Sequence, residues 1–173
     1  MVGDGFMAVG DAACQVNPLH GGGIGSSMLG GKLAGEAAAE AVSSEEVDRE
    51  GLWRYNVRFI EAYGAKQAKL DVLRIMLQKL SNQDINYGMK RRLISEDELV
   101  KVSTSRDFYI SPSKALGRLL KGVGNPRLLY RLYRAAVLAK KVSSVYAKYP
   151  RSPDEFKEWE KVVRGLFQEA RAL

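Results

Sequence analysis

The stretch from Gly10 to Ala41 constrains this chain most. An apolar run, Phe6 to Val9, lies between Gly5 and Gly10. A loop follows with Asn17-Pro18 and the glycines Gly21, Gly22, Gly23 and Gly25, and then a segment dense in Ala34, Gly35, Ala37, Ala38, Ala39 and Ala41. An apolar run bounded by glycines predicts a short strand, and the loop then opens a long helix whose small side chains let it lie close to a sheet. Glycines lack a Cβ, so the loop can take positive φ and a ligand can approach its backbone. A helix starting directly after them leaves its first N–H groups without intrahelical acceptors. About half a positive charge from the helix dipole stands behind those donors. Asp11, one residue past the strand, can accept hydrogen bonds from ligand hydroxyls. This order of parts predicts a polar cofactor pocket at the carboxyl end of a strand. The same glycines also suit a loop that only turns and a helix that only packs. The pattern is not a phosphate-binding Walker loop, because no Gly-Lys-Ser/Thr follows. Nor is it the G-x-G-x-x-G fingerprint with an acidic residue about 20 positions on.

The run V-G-D-A-A at positions 9–13, then N-P-L-H-G-G-G-I-G at 17–25, then the Gly/Ala helix, resembles the second FAD motif of the geranylgeranyl reductase family. That family belongs to the wider aromatic-hydroxylase-like group of flavoproteins. The resemblance is specific over Val9 to Ala41, looser to about residue 101, and slight beyond. It implies that Asp11 binds the ribityl chain of FAD and that Pro18, Gly21, Gly22 and Gly23 shape the loop beside the isoalloxazine. It also implies that Gly23, Ile24 and Gly25 present backbone N–H groups to the N1–C2=O edge of the ring. For a complete enzyme it implies hydride delivery from reduced FAD to isolated C=C bonds of prenyl chains on lipids.

In the family, the first strand, the G-x-G-x-x-G turn, the ribose-binding acid and the substrate-pocket strands precede this motif. Here Met1 sits directly before the motif strand. The expectation is therefore the C-terminal portion of such a reductase, mostly α-helical. Residues 1–45 would be the strand, loop and helix of an FAD-binding α/β domain, and residues 46–173 a helical C-terminal domain. Alone it would bind FAD weakly or not at all and self-associate through apolar surface normally covered. The resemblance also implies a prenylated lipid as partner and a cytoplasmic site, peripheral on the membrane. Two other readings are a fragment of a flavin monooxygenase or halogenase, and a helical interaction module without cofactor.

The single cysteine, Cys14, excludes an internal disulfide and a zinc cluster, and is expected to be a small buried apolar residue. No apolar run reaches the roughly 18 residues of a membrane span, and Met1 to Val9 lacks the basic start of a signal peptide. His20, the only histidine, is expected to be satisfied by loop backbone. No nucleophile elbow or paired carboxylates appear, so no catalytic residue and no metal ligand is assigned.

Beyond the Gly/Ala helix, Ser43 or Ser44 is expected to cap a long helix from about Val47 to Leu80. Its apolar positions include Leu52, Tyr55, Phe59, Tyr63, Leu70, Leu73 and Leu77, and Gly64 marks a bend or a close approach. Residues 81–88 read as a polar break. Ser95 to Glu98 reads as a capping box opening a short helix, and residues 103–113 as a linker. Asn125-Pro126 should begin a helix, Asn as N-cap and Pro at the first position. Its face would be Leu128, Leu132, Ala135, Ala139, Val142 and Tyr146. Ser152 to Glu155 reads as a second capping box, opening a helix through Phe156, Trp159, Val163 and Phe167.

The formal net charge is +7, and Phe108 to Pro153 holds no acidic residue. Arg127, Arg131, Arg134, Lys141 and Lys148 border the apolar face, with Tyr130, Tyr133, Tyr146 and Tyr149 at its margins. A solvated face and an anionic membrane surface both fit this pattern. Nucleic acid is not expected, because no recognised binding motif accompanies the charge.

Overall fold

In a computed structural model, residues 1–93 and 122–173 are described. The expected capping box at 95–98 and linker at 103–113 lie outside them. The described part is mostly helical. A two-stranded antiparallel sheet opens the chain: β1 (Val2–Gly3) pairs with β2 (Phe6–Met7), Val2 opposite Met7 and Gly3 opposite Phe6. The expected strand is thus shorter than Phe6 to Val9, and β1 is an unexpected partner. A 3-10 turn, Gly10–Ala13, and the glycine loop lead into α1 (Ile24–Ser43).

The start of the next helix departs from expectation. Ser43 and Ser44 close α1, bonding back to the carbonyls of Ala39 and Glu40 at 2.8 and 3.1 Å. Asp48 is the N-cap of α2 (Arg49–Phe59), accepting from the Gly51 N–H at 2.9 Å. The side chain two residues before the first turn therefore wins over the serines, because it reaches the unpaired donors. Near Gly64 the long helix widens into a π-helical turn, Ile60–Gly64, before α3 (Ala65–Leu77). The polar run at 82–90 forms α4 (Asn82–Lys90) rather than a break. Ser81 and Asp84 make a reciprocal capping box there, which offsets weak propensity with two satisfied donors.

Helix α5 (Pro126–Tyr146) starts as its sequence dictates, with Asn125 Oδ1 accepting from the Leu128 N–H at 3.0 Å and Pro126 in the first turn. The Asn125 amide also donates to Asp84 Oδ1 at 2.8 Å, joining the caps of α4 and α5. Asn125→Ala should therefore cost about 1–2 kcal/mol, since cap loss alone costs roughly 1. Urea titration would read this as a lowered midpoint. Ser152 accepts from the Asp154 N–H at 3.2 Å and opens a 3-10 turn, Pro153–Glu155, ahead of α6 (Phe156–Arg171). It makes this local turn in place of the expected reciprocal box with Glu155.

Two apolar clusters result. In the first, Ala34 and Ala37 of α1 meet Tyr55 and Phe59 of α2, with Val2, Met7 and Val9 against them. The small residues of α1 thus admit aromatic rings from a helix more than a broad sheet. Arg58 to Glu40 at 2.7 Å and Arg54 to Glu46 at 2.8 Å border this seam. In the second, α3, α5 and α6 bury Val72, Ile75, Leu138, Val142 and Ala170. Tyr146 and Tyr149 do not sit at a wet margin. They pack against Trp159, each with ring centroids 4.9 Å away, and only Tyr130 and Tyr133 of the four tyrosines are exposed.

Candidate functional site

The glycine loop is held from beneath by one buried polar side chain. Gln15 is 0% exposed. Its Oε1 accepts from the Gly10 N–H at 2.8 Å, and its Nε2 donates to the Tyr55 hydroxyl at 2.5 Å. That hydroxyl donates to the Ala8 carbonyl at 3.1 Å. Gly10 takes φ +68°, a left-handed conformation that side chains rarely adopt, so the chain turns sharply out of the strand there.

Asn17, also buried, sets the loop itself. Its Oδ1 accepts from the Leu19 N–H at 2.9 Å. Its own N–H donates to the Gly22 carbonyl at 3.0 Å, and its carbonyl accepts from Gly21 N–H at 2.9 Å. His20 Nδ1 accepts from the Gly22 N–H at 3.0 Å, the backbone satisfaction expected of it. From the far side, Gln67 of α3 donates to the carbonyls of Cys14 and Val16, the latter at 3.0 Å. Ser26 Oγ bonds the carbonyls of Gln15 and Gly23, the latter at 3.0 Å.

The result is a cleft of ≈ 370 Å3 bordered by Asn17, His20, Gly22, Gly23, Ile24, Gly25, Ser26, Leu29 and Tyr63. Gly23 is the N-cap of α1 without any side-chain cap, so the first N–H groups of the helix open toward this space. The exposed Asp11 carboxylate stands beside them: a Cβ built on Gly23 would lie 3.1 Å from Asp11 Oδ1. A Cβ at Gly21 or Gly25 would meet open space. Ile24 turns its side chain outward, 83% exposed.

Asp11, Gly22, Gly23, Ile24 and Gly25 are therefore gathered, while Gly21 sits at the loop's turn with φ +73°. Pro18 faces away, into a second and more apolar cleft of ≈ 480 Å3. Val16, Ile60, Gly64, Gln67 and Phe167 border that cleft, as does Cys14. Cys14 is exposed at φ +54° and not the buried small residue expected, because the 3-10 turn ends on it in a left-handed cap.

Gln15, Ser26, Tyr63 and Gln67 were not singled out as site residues from sequence. Gln15 and Gln67 are single polar residues whose partners lie 40 and 51 or more residues away. Tyr63 carried a signal, its eight-residue spacing from Tyr55, but that spacing serves a core residue equally well. Burial raises the Tyr55 and Tyr63 hydroxyls above the ordinary tyrosine value, partly countered by Gln15 at Tyr55 and by Ser26 and Asn17 at Tyr63.

Strand, glycine loop, uncapped helix and adjacent carboxylate together define a polar ligand-binding turn backed by a helical region. Sequence comparison gives that turn a family. No protein-family model matches the chain. The chain is, however, 41% identical over 169 residues to a digeranylgeranylglycerophospholipid reductase of Sulfolobus acidocaldarius, an alignment covering 98% of this chain and 37% of that protein. It is 44% identical over 96 residues to the protein of that name in Methanothrix thermoacetophila, covering 56% of this chain and 24% of that one. It is 38% identical over 108 residues to digeranylgeranylglycerophospholipid reductase 2 of Methanopyrus kandleri, 58% and 27% of the two chains. The chain is thus a homologue of the digeranylgeranylglycerophospholipid reductases, spanning little more than a third of the length of these relatives. With the first of them the likeness runs through the basic helices to nearly the whole chain, well beyond residue 101.

Proposed function

We propose that this chain forms the flavin-facing turn and the helical region of an FAD-dependent reductase acting on geranylgeranyl chains of a lipid. The observation that carries the reading is the approach of the Asp11 carboxylate to Gly23 at the uncapped start of α1. The residues suit a flavin: a carboxylate can accept from ribityl hydroxyls, and Gly22, Gly23 and Gly25 leave the backbone open to a flat ring. Asp11 would hold the sugar-alcohol chain, and the N–H groups of Gly23, Ile24 and Gly25 would meet the polar edge of the ring. Those donors and the helix dipole favour negative charge at that edge. Pro18, Gly21 and Asn17 would keep the loop in shape, and Tyr63 and Leu29 would wall the cleft from water. Reduced flavin, when bound, supplies the hydride that saturates an isolated C=C bond. Residues 1–45 would belong to the FAD-binding domain and 46–173 to the helical domain.

In the complete gene product, Asp11→Ala is expected to lower flavin affinity at least 10-fold, because a charge-assisted hydrogen bond is worth about 1.5–3 kcal/mol. Flavin retained through dialysis is the measurement. Unchanged retention with an unchanged fold would favour the helical-module reading instead.

The lipid substrate also assigns a role to α5. Its outer surface carries Lys140, Lys141 and Lys148 near the exposed Tyr130 and Tyr133. Arg134 is engaged by Glu169 at 2.5 Å, and Arg131 donates to the Lys79 carbonyl at 3.3 Å. Among the described residues, no helix is long and apolar enough to cross a membrane. A peripheral contact with anionic headgroups fits this stripe, at about 1 kcal/mol per basic residue. Replacing the three lysines with glutamine should weaken co-sedimentation with phosphatidylglycerol vesicles on the order of 100-fold. Equal pelleting would leave the stripe as solvated surface.

A further inference from the structure

We infer that Tyr63 is a positioning residue of the glycine loop, aimed by the π-helical turn Ile60–Gly64 so that its side chain fixes Asn17 and Ser26 and with them the amides of Gly23 to Gly25. The inference rests on the flavin reading for its ligand, not for its geometry.

The argument starts from the spacing of Tyr55, Phe59 and Tyr63. In an α-helix, residues four apart drift about 40° round the axis at each step. Two such steps would swing the third ring well away from the first. A π-helical turn is wider, with i→i+5 bonds, and takes up that drift. Here it falls on the residues after Phe59. The three rings stay in one ladder, with centroids 6.4 Å apart between Tyr55 and Phe59 and 6.0 Å between Phe59 and Tyr63.

Both ends of that ladder hold the same loop. Tyr55 binds its entry, through Gln15 and the Ala8 carbonyl. Tyr63 borders the cleft at its exit, beside Asn17, Ser26 and Gly23. The Tyr63 hydroxyl interacts with the Ser26 and Asn17 side chains. Ser26 has one hydroxyl proton, directed to the carbonyls of Gln15 and Gly23. Its lone pairs are free to accept from Tyr63. The Asn17 backbone is bonded to both Gly21 and Gly22. The phenol thus touches the two residues that together set both ends of the glycine run. A Phe at position 63 would keep the ring ladder and remove only this grip.

The test is Tyr63→Phe in the complete gene product, measured in two ways. Hydrogen exchange of the flavin-free protein should show the amides of residues 17–25 exchanging about 10-fold faster than in the parent, with those of α3 unchanged. Flavin titration should show affinity reduced about 5- to 10-fold and a shifted visible absorption band. Exchange of the loop unchanged in the variant would overturn the inference, whatever happens to flavin. Faster loop exchange in a protein whose parent binds no flavin would support the positioning role and sink the flavin reading alone. Tyr63→Ala, which also removes the ring, should lower the thermal midpoint; Tyr63→Phe should leave it within about 2 °C. A Phe variant as unstable as the Ala variant would mean that the hydroxyl supports the fold at large, and would also overturn the proposal.

Discussion

Replacing Gly30 with alanine is expected to destabilise the protein by about 3 kcal/mol or more and to loosen the glycine loop with it. Gly30 is buried on the inner face of α1, where the Gln15 side chain crosses it. A methyl group there would overlap Gln15 Oε1, reach 3.0 Å from Gln15 Cδ and 3.2 Å from Val9 Cγ1. Overpacking of that kind costs about 1–3 kcal/mol. Gln15 cannot move aside without breaking its bonds to the Gly10 N–H and the Tyr55 hydroxyl. Each buried group left unsatisfied adds about 1–3 kcal/mol. The neighbouring Gly31 is the internal control. It is exposed on the same helix, and a Cβ there meets nothing within 4 Å. Gly31→Ala should be neutral or stabilising, by up to about 1 kcal/mol, because alanine is the better helix former. Urea unfolding of the two variants decides it. Equal midpoints would show that helix propensity, not Gln15, governs this position.

That contrast also shows what the sequence makes legible. The glycine loop, the long helix after it, and the Asn125-Pro126 start of α5 follow from local rules, because the residues that decide them are neighbours in the chain. The same locality explains the failures. Ser43 and Ser44 look like caps, yet Asp48 has the better reach to the free N–H groups of α2. The polar run at 82–90 is weak in helix formers, and its helix depends on the Ser81–Asp84 box and on Asn125, 41 residues away from Asp84. Tyr146 and Tyr149 sit at the edge of a helical wheel, and only the arrival of Trp53 and Trp159 from other elements makes them interior. For the candidate site, Asp11 and Gly22 to Gly25 are visible because a backbone-lined pocket has a compositional signature. Gln15, Ser26 and Tyr63, which hold that backbone still, have none. Pro18 was grouped with the glycines by proximity in sequence, but the loop's Asx turn at Asn17 directs it to the opposite cleft.

Trp53→Ala should be the most damaging single change outside the loop, at about 3–5 kcal/mol, the range for truncating a large buried aromatic. Trp53 is 3% exposed. It stacks on Tyr149 at 5.8 Å, meets Phe156 edge-on at 5.5 Å, and donates from Nε1 to the Pro150 carbonyl at 2.9 Å. These contacts fasten α2 to a segment almost a hundred residues later, so their loss releases the turn between α5 and α6. Trp53→Phe keeps most of the apolar contact and leaves the Pro150 carbonyl without its donor, for about 1–3 kcal/mol. The cluster carries a second, pH-dependent signature. Burial pushes Tyr146 from 10.0 up to about 12, and Tyr149 upward as well. A tyrosine whose folded pKa is raised stays neutral in the fold after the unfolded chain has begun to ionise. Its stabilising contribution is therefore complete below pH 10 and is lost as pH rises from 10 to about 12. In Trp53→Ala, water reaches Tyr149 and its pKa should relax toward the ordinary value. Urea midpoints measured at pH 7, 10, 11 and 12 should then fall less steeply in the variant than in the parent. A variant that loses under 1 kcal/mol at pH 7, or falls just as steeply on the alkaline side, would show that Trp53 does not seal this cluster.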